Sequence, residues 1–248
     1  MGPVYSLEYT IDDLTVDRFG VMKPSAILFL AQEAAGQHCV ELSLSYETLA
    51  SRRLFWAVIR QRIQISRLPR RGEKLRIETW PMPTTRVAYP RSVVAYDARG
   101  EECFRSVSLW VLMDMDSRNM ILPGKSGVEV AGTLRGTELA APSALPLGKP
   151  ESLGSRTVSF TDLDRNGHMN NTRYLDWIWD LLPSAFHARK KVKELTVCYF
   201  SEGREGDALE LRWGMPQPDM LQVDIHRSSG DGGERVFSAR IWFRDDVL

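Results

Sequence analysis

The hexapeptide Asp164-Arg165-Asn166-Gly167-His168-Met169 resembles an earlier stretch of the same chain, Asp17-Arg18-Phe19-Gly20-Val21-Met22. Each hexapeptide stands shortly before an apolar segment with helical spacing, residues 24–37 in the first case and 170–182 in the second. Pro24 suits the first turn of the first of these helices. The matched surroundings indicate that the two hexapeptides mark two copies of one folding pattern.

Strand-like runs accompany both predicted helices in the same order. The first copy predicts strands at residues 4–10, 55–65, 74–81, 87–96 and 103–114, with a short helix near 45–51. The second copy predicts strands at residues 156–160, 194–200, 208–215, 220–227 and 235–243. Turn-forming residues at 97–100 and 229–233 separate the last two strands of each copy, as in a hairpin.

Two further matches support the duplication. Residues 72–77 match residues 206–211, and Trp110 with Asp114 matches Trp242 with Asp246. Each copy is therefore predicted as one strand, one long helix and four antiparallel strands, an α+β arrangement in which a sheet wraps around a helix.

The segment between the two copies has a different composition. Residues 123–154 are rich in Gly, Pro, Ala and Ser, which predicts a linker lying over the surface. We therefore expect an N-terminal domain at residues 1–122 and a C-terminal domain at residues 155–248.

The overall composition excludes several classes of protein. The 248 residues contain 32 Lys and Arg against 32 Asp and Glu, so a general nucleic-acid binder is not expected. No apolar run is long enough to span a membrane, and the first residues do not resemble a secretory signal. Three widely spaced cysteines predict reduced thiols in a cytoplasmic protein.

The densest polar cluster lies at residues 162–171, just before the second predicted helix. One interpretation is purely local: Asn170 caps the helix, Gly167 turns the chain, and Asp162 satisfies backbone donors. The repeat favours a catalytic role for the cluster instead, because the first copy keeps the backbone pattern without the reactive side chains.

The comparison of the two copies separates these interpretations residue by residue. Asn166 and His168 correspond to Phe19 and Val21, so shaping the loop does not require them. Asp164 corresponds to an aspartate, and the comparison leaves its role open. Glu202, which follows a predicted strand, corresponds to Leu68 and is either a reactive group or a solvated loop residue.

The pattern Asp164-x-Asn166-x-His168-x-Asn170-Asn171-x-x-Tyr174 resembles the active-site signature of the acyl-[acyl-carrier-protein] thioesterases. Residues 32–38, 55–58 and 78–81 also look like segments of that family. The resemblance implies tandem hotdog repeats, each an antiparallel sheet wrapped around a long helix, with the sheets joined side by side. It places the acyl-chain pocket in the first repeat and the catalytic residues in the second.

Carried over by position, the family's catalytic residues fall on Asp164, Asn166, His168 and Glu202. In the implied mechanism Glu202 activates water, directly or through His168, while Asn166 positions the carbonyl or the water and Asp164 orients its neighbours. Which of Glu202 and His168 takes the proton stays open. Some members carry a cysteine where this chain has Gly203, so a cysteine nucleophile is not expected. No cofactor is implied, and no metal-binding motif is present.

The resemblance also implies where the substrate binds. The candidate substrate-binding residues are Phe29, Ala34, Trp56, Trp80 and Trp110 in the first repeat, with Asn170 and Tyr174 beside the signature. Backbone N–H groups at the start of the helix near Asn170 are candidates for binding the oxyanion. Each apolar candidate is alternatively an ordinary core residue.

The family's carrier protein is acidic, so its docking surface is expected to be basic. The candidates are Arg189, Lys190, Lys191 and Lys193, and a second basic cluster lies at residues 67–71. The alternative for both clusters is a solvated run of charge.

Taken together, the resemblance implies hydrolysis of the thioester of fatty acyl–acyl carrier protein, which releases a free fatty acid and ends chain elongation. The partner is acyl carrier protein, with no nucleic acid and no membrane involved, and a homodimer is left open. The alternatives are an acyl-CoA thioesterase and a non-catalytic acyl-binding hotdog protein.

Overall fold

The computed structural model describes residues 3–136, 138–228 and 233–245. The chain forms two compact units, Met1–Pro142 and Ser143–Leu248. Most of the predicted turn at 229–233 lies outside the described residues, as does Asp246 of the third sequence match.

The first unit is an antiparallel sheet packed against one long helix. Its elements are β1 (Tyr5–Thr10), α1 (Pro24–Glu41), α2 (Tyr46–Ala50), β2 (Leu54–Ile65), β3 (Lys74–Pro81), β4 (Tyr89–Tyr96), β5 (Glu102–Asp114), β6 (Met120–Ile121) and α3 (Pro123–Ser126). The strands lie in the order β1-β3-β4-β5-β2, and β6 pairs with the free length of β5. Every strand predicted for this copy is present.

Local chemistry explains where the helices of this unit begin. Pro24 occupies the first turn of α1, where its missing N–H costs nothing. Ser45 caps α2 by accepting the backbone N–H of Thr48 at 3.3 Å. The predicted apolar stripe of α1 is buried against the sheet: Ile27, Leu28, Leu30, Ala31, Ala34 and Ala35. The helix continues past the predicted end at Gln37 to Glu41.

The second unit repeats this plan. Its elements are β7 (Ser152–Thr157), α4 (Arg173–Trp179), α5 (Ser184–Arg189), β8 (Lys190–Tyr199), β9 (Ala208–Gln217), β10 (Met220–Arg227) and β11 (Glu234–Asp245). The strand order β7-β9-β10-β11-β8 matches that of the first unit strand for strand. The shared order confirms that the chain contains a duplicated fold.

Two predictions for the second unit need correction. The helix expected at 170–182 begins only at Arg173, because the Asn170 side chain accepts the Thr172 N–H and hydroxyl and holds a turn there. The helix ends at Trp179. The strand expected at 156–160 runs instead from Ser152 to Thr157, so it begins within the segment predicted as a linker. A short 3₁₀ turn at Phe160–Asp162 follows, stabilised by reciprocal hydrogen bonds between Ser159 and Asp162.

The segment predicted as a linker is partly packed onto each unit. Val128 is buried in the first unit in a cluster made with Leu49, Leu54, Tyr89 and Leu112. In the second unit Gly148 donates its N–H to Asp224 at 2.7 Å, and Gln222 donates to the carbonyl of Pro146. Within the described part of the chain, no helix has the length and apolar character of a membrane span.

Candidate active site

Backbone hydrogen bonds and a glycine set the conformation of the loop at residues 164–169. Asp164 donates its N–H to the carbonyl of His168 at 2.8 Å, and Gly167 donates to the carbonyl of Asp164 at 3.0 Å. Gly167 has a φ of 75°, a left-handed conformation that glycine adopts without a steric penalty. In the first unit Asp17 and Gly20 form the same loop, and Gly20 has a φ of 69°.

The aspartate shapes the loop in both copies. Oδ1 of Asp164 accepts the backbone N–H of Asn166 at 2.8 Å and that of His168 at 3.4 Å. Asp17 accepts the corresponding N–H groups of Phe19 and Val21 at 2.8 and 3.1 Å. In the second unit the other carboxylate oxygen also receives the Asn166 side-chain amide at 3.4 Å. Asp164 therefore builds the loop that presents the reactive side chains and also restrains Asn166.

Glu202 lies beside His168, because a second loop runs antiparallel to the first. His168 forms a β-bridge with Arg204, and Met169 donates its N–H to the carbonyl of Gly203 at 2.8 Å. As a result Nε2 of His168 is 3.2 Å from Oε2 of Glu202. The His168 side chain is 18% exposed and that of Glu202 37%, so the pair is sheltered yet open to a ligand.

Arg227, at the end of β10, holds the loop that carries Glu202. Its guanidinium donates to the carbonyl oxygen of Glu202 and to Oγ of Ser201, and it pairs with Asp207 at 3.0 Å. The sequence analysis did not identify Arg227. An arginine at the end of a strand has no local pattern that shows what it contacts.

Tyr174 supports the same loop from within the second unit. The residue is only 2% exposed, and its ring stacks on Phe237 with centroids 4.6 Å apart. Burial raises the pKa of Tyr174, and a hydrogen bond with the backbone of Gly203 acts against that rise. A Cβ added at Gly203 would lie 2.9 Å from the Tyr174 hydroxyl and 3.2 Å from Cβ of Met169. Glycine is therefore required at 203 for this close approach.

Asn166 and Asn170 differ in accessibility: Asn166 is exposed to solvent, whereas the polar groups of Asn170 are bonded within the chain. Asn166 is exposed on the loop, two residues from His168. Asn170 donates its N–H to the carbonyl of Asp162 at 2.8 Å, and its own side chain and carbonyl accept the N–H groups of Thr172 and Arg173. Since these three N–H groups are already bonded, the structure does not support the expectation that they bind the oxyanion.

The candidate residues for the acyl slot are not all in one place. Ala34 is fully buried on α1, whereas Phe29 is 42% exposed. Trp56 and Trp110 both pack against the core cluster around Tyr89. Trp110 donates its indole N–H to Oγ of Ser108 at 2.8 Å.

Trp80 does not face α1, and its expected place beside that helix is wrong. Thr79 is on the α1 side, because it contacts Arg91, which in turn contacts His38 of α1. Trp80 follows Thr79 on β3 and therefore points to the other face. There it lies under Arg135 and lines a cavity of about 200 Å³.

The predicted docking residues are unequally available. Lys190 pairs with Asp219 at 2.8 Å and with Asp245 at 2.9 Å, so its charge is largely compensated. Lys191 donates to the carbonyl of His187. Arg189 and Lys193 are exposed.

The second basic cluster is more strongly neutralised. Arg67 pairs with Glu73 and Asp97, each at 2.8 Å, and Arg71 pairs with Asp13. Within residues 3–136, 138–228 and 233–245, no three His, Cys, Asp or Glu side chains are grouped so as to hold a metal ion.

Comparisons with known proteins agree with this geometry. Residues 2–122 match the acyl-ACP thioesterase N-terminal domain, and residues 150–245 match the acyl-ACP thioesterase C-terminal domain. Oleoyl-acyl carrier protein thioesterase 2 of Arabidopsis thaliana is 25% identical over 250 residues, which cover 89% of this chain and 65% of the relative. Palmitoyl-acyl carrier protein thioesterase of Gossypium hirsutum is 24% identical over 220 residues, 82% of this chain and 53% of the relative. The chain thus spans between half and two thirds of these curated relatives.

Solved structures show the fold. An acyl-ACP thioesterase from Bacteroides thetaiotaomicron superposes with a TM-score of 0.87 at 22% identity, covering 98% of each chain. A 12:0-ACP thioesterase from Umbellularia californica superposes with a TM-score of 0.82 at 21% identity, covering 99% of each chain. These likenesses confirm the expected α+β fold with hotdog repeats.

Proposed function

Because the chain belongs to the acyl-ACP thioesterase family, we propose that it hydrolyses the thioester of a fatty acyl group bound to acyl carrier protein. The products are the free fatty acid and the carrier thiol, so the reaction ends chain elongation. The observation that carries the proposal is the 3.2 Å contact between His168 and Glu202, two groups that the first unit lacks at the matching positions.

The geometry suits attack by an activated water. Hydrolysis of a thioester needs a base to take a proton from water and a donor to stabilise the oxyanion. Glu202 and His168 together supply the base. The water oxygen bonds to the acyl carbon, its proton passes to the pair, the carbon–sulfur bond breaks, and the proton is returned to the departing sulfur.

Asn166 and Asp164 complete the proposed machinery. The exposed amide of Asn166 donates to the substrate carbonyl or positions the water, and Asp164 restrains that amide and the backbone of His168. Tyr174 and Asn170 are proposed to act indirectly on the substrate: Tyr174 through the Gly203 contact and Asn170 through the turn that follows the loop.

No cysteine is assigned a nucleophilic role. Gly203 stands where some family members have a cysteine, and Cys198 is fully buried in β8. Hydrolysis by general-base catalysis therefore needs no acyl-enzyme intermediate on this chain.

Acyl carrier protein is the proposed carrier, and Arg189 and Lys193 are the proposed docking residues because they are exposed. Ala34, Trp56 and Trp110 remain proposed lining of the acyl slot, and Phe29 is retained at its rim because of its exposure. A homodimer and a cytoplasmic location remain predictions from the sequence.

The deciding experiment measures thiol release from acyl carrier protein and from coenzyme A bearing the same acyl chains. We expect faster turnover on the carrier protein, and loss of turnover when Glu202 or His168 is replaced. Preference for coenzyme A would indicate an acyl-CoA thioesterase. Binding of acyl carrier protein without thiol release would indicate a non-catalytic acyl-binding protein.

A further inference from the structure

The loop that carries His168 forms a short two-stranded ladder with the loop that carries Glu202. His168 and Arg204 lie opposite each other in this ladder, and Met169 donates its N–H to the carbonyl of Gly203 at 2.8 Å. A hydrogen bond between the neighbours of two opposed residues marks a non-hydrogen-bonded pair, in which the Cα atoms are about 4.5 Å apart and the side chains are close. Arg204 is therefore the residue directly across from His168.

The side chains of this ladder alternate between its two faces. Met169 and Gly203 share the inner face, since Met169 is 4% exposed and a Cβ added at Gly203 would lie 3.2 Å from Cβ of Met169. Glu202 and Arg204, one position to either side of Gly203, share the other face with His168. The Arg204 side chain therefore leaves the ladder on the same face as the pair of His168 and Glu202.

The main chain of Arg204 is bonded, but its side chain is available to a ligand. Its N–H donates to Oδ2 of Asp207 at 2.9 Å, and its carbonyl accepts the Asp207 N–H at 3.0 Å. The residue is exposed, and in the part of the chain that the structure describes no carboxylate pairs with its guanidinium. An arginine side chain has five N–H donors and stays protonated. An unpaired cation thus lies beside the proposed base.

The first unit forms the same ladder without the reactive pair. Arg70 lies opposite Val21, and Met22 donates its N–H to the carbonyl of Pro69 at 2.9 Å. Arg70 is also exposed. Because the arginine is present in both copies, its presence alone assigns no role. The two positions differ in what the arginine faces, which is a valine in the first unit and a histidine beside a carboxylate in the second.

The carbonyl oxygen of a bound thioester is the group that this guanidinium fits. Attack of water on the acyl carbon places negative charge on that oxygen, and N–H donors that bond it lower the barrier. The N–H groups near Asn170 are bonded within the chain and are not such donors. A charged donor such as Arg204 forms hydrogen bonds roughly twice as strong as a neutral one does.

We propose that Arg204 is a further catalytic residue, whose guanidinium donates to the thioester carbonyl oxygen and stabilises the oxyanion formed when water attacks. This inference rests on the proposed function. Glu202 and His168 take the proton of the attacking water, and Arg204 stays protonated throughout. When the carbon–sulfur bond breaks, the oxyanion reverts to a carbonyl and the proton is returned to the departing sulfur.

The first test measures kcat on acyl–acyl carrier protein. Arg204→Met removes the donors at similar length and should lower kcat about 10²-fold, the usual cost of losing one donor to an oxyanion. Arg204→Lys keeps the charge but not the forked donors, so its kcat should lie between these two values. Arg70→Met is the matched control in the first unit and should keep the wild-type kcat. A wild-type kcat for Arg204→Met would overturn the inference.

A second measurement separates contact with the carbonyl from attraction of the carrier protein. Acyl carrier protein is loaded with one of two unreactive probes of equal chain length. The ketone probe has a CH₂ group between the carbonyl and the sulfur, and the thioether probe has a CH₂ group in place of the carbonyl. Arg204→Met should weaken binding of the ketone probe about ten-fold and leave binding of the thioether probe unchanged, because only the ketone presents the oxygen.

Equal weakening of both probes, or of neither, would overturn the role of Arg204. Failure of the wild-type protein to hydrolyse any acyl thioester would instead overturn the proposed function. The two results are distinguishable, since calorimetry measures the binding of both probes without any turnover.

Discussion

Nε2 of His168 lies 3.2 Å from Oε2 of Glu202, across two loops that run side by side in the second unit. The matching positions in the first unit are occupied by Val21 and Leu68, although the loop around Val21 has the same hydrogen bonds. The two units can therefore be compared within one chain, because the loop of the second unit carries Asn166 and His168 where the same loop of the first unit carries Phe19 and Val21.

Glu202→Gln should lower kcat by a factor of about 10² to 10⁴, because the amide is nearly the same size but cannot take a proton. KM should change little. Leu68→Gln, at the corresponding place in the first unit, is the matched control and should retain wild-type turnover. Near-normal kcat for Glu202→Gln on acyl–acyl carrier protein would contradict the role of Glu202 in the reaction.

Gly203→Ala should destabilise the protein by about 1–3 kcal/mol and reduce kcat, because the new methyl group meets the Tyr174 hydroxyl at 2.9 Å. Tyr174→Phe removes that oxygen, so the double variant should recover part of the loss in both measurements. Denaturant unfolding and initial rates on the four proteins of this double-mutant cycle provide the check. Strictly additive effects would show that the contact does not position the Glu202 loop.

Arg189→Glu and Lys193→Glu should raise KM for acyl–acyl carrier protein about ten-fold at low salt and much less at high salt, because screening weakens a surface attraction. The same variants should leave turnover of acyl-CoA unchanged. Lys190→Glu should instead lower the Tm, since it places a third carboxylate beside Asp219 and Asp245. If KM for acyl–acyl carrier protein changes neither on charge reversal nor with salt concentration, docking at this surface is excluded.

Asp97 should make the stability of the protein fall as the pH is lowered. Its carboxylate accepts from Arg67 at 2.8 Å and from the backbone N–H groups of Glu101 and Arg99, each at 2.9 Å, and these bonds lower its pKa from 3.8 to about 2. Because the pKa of Asp97 is lower in the folded than in the unfolded protein, its ionised carboxylate stabilises the fold when the pH is above the unfolded-state pKa. This stabilisation is lost as the pH falls toward about 2. Asp97→Asn should therefore lower Tm at neutral pH and flatten the decline of Tm below about pH 4. Parallel Tm curves for the two proteins would contradict this origin.

The duplicated fold was accessible to sequence reasoning because its signals are local. The apolar spacing of α1 and the alternation along the strands depend on neighbours a few residues apart. The strands predicted at 74–81 and 220–227 have the same bounds as the observed β3 and β10. The prediction was less accurate for residues 170–182. There the Asn170 side chain competes with the helix for backbone N–H groups, and a capping position and a turn look alike in sequence.

The order of residues along the chain was enough to predict two copies of one α+β pattern and to place Asn166, His168 and Glu202 in the second copy alone. The contacts of these groups became visible only in the folded chain. It placed Glu202 against His168, Arg227 under the Glu202 loop, Trp80 on the face away from α1, and Arg91 inside the first unit. Helix and strand periodicity act over short stretches of chain, whereas contacts between loops and between sheet faces depend on strand register and on side-chain packing across the whole unit.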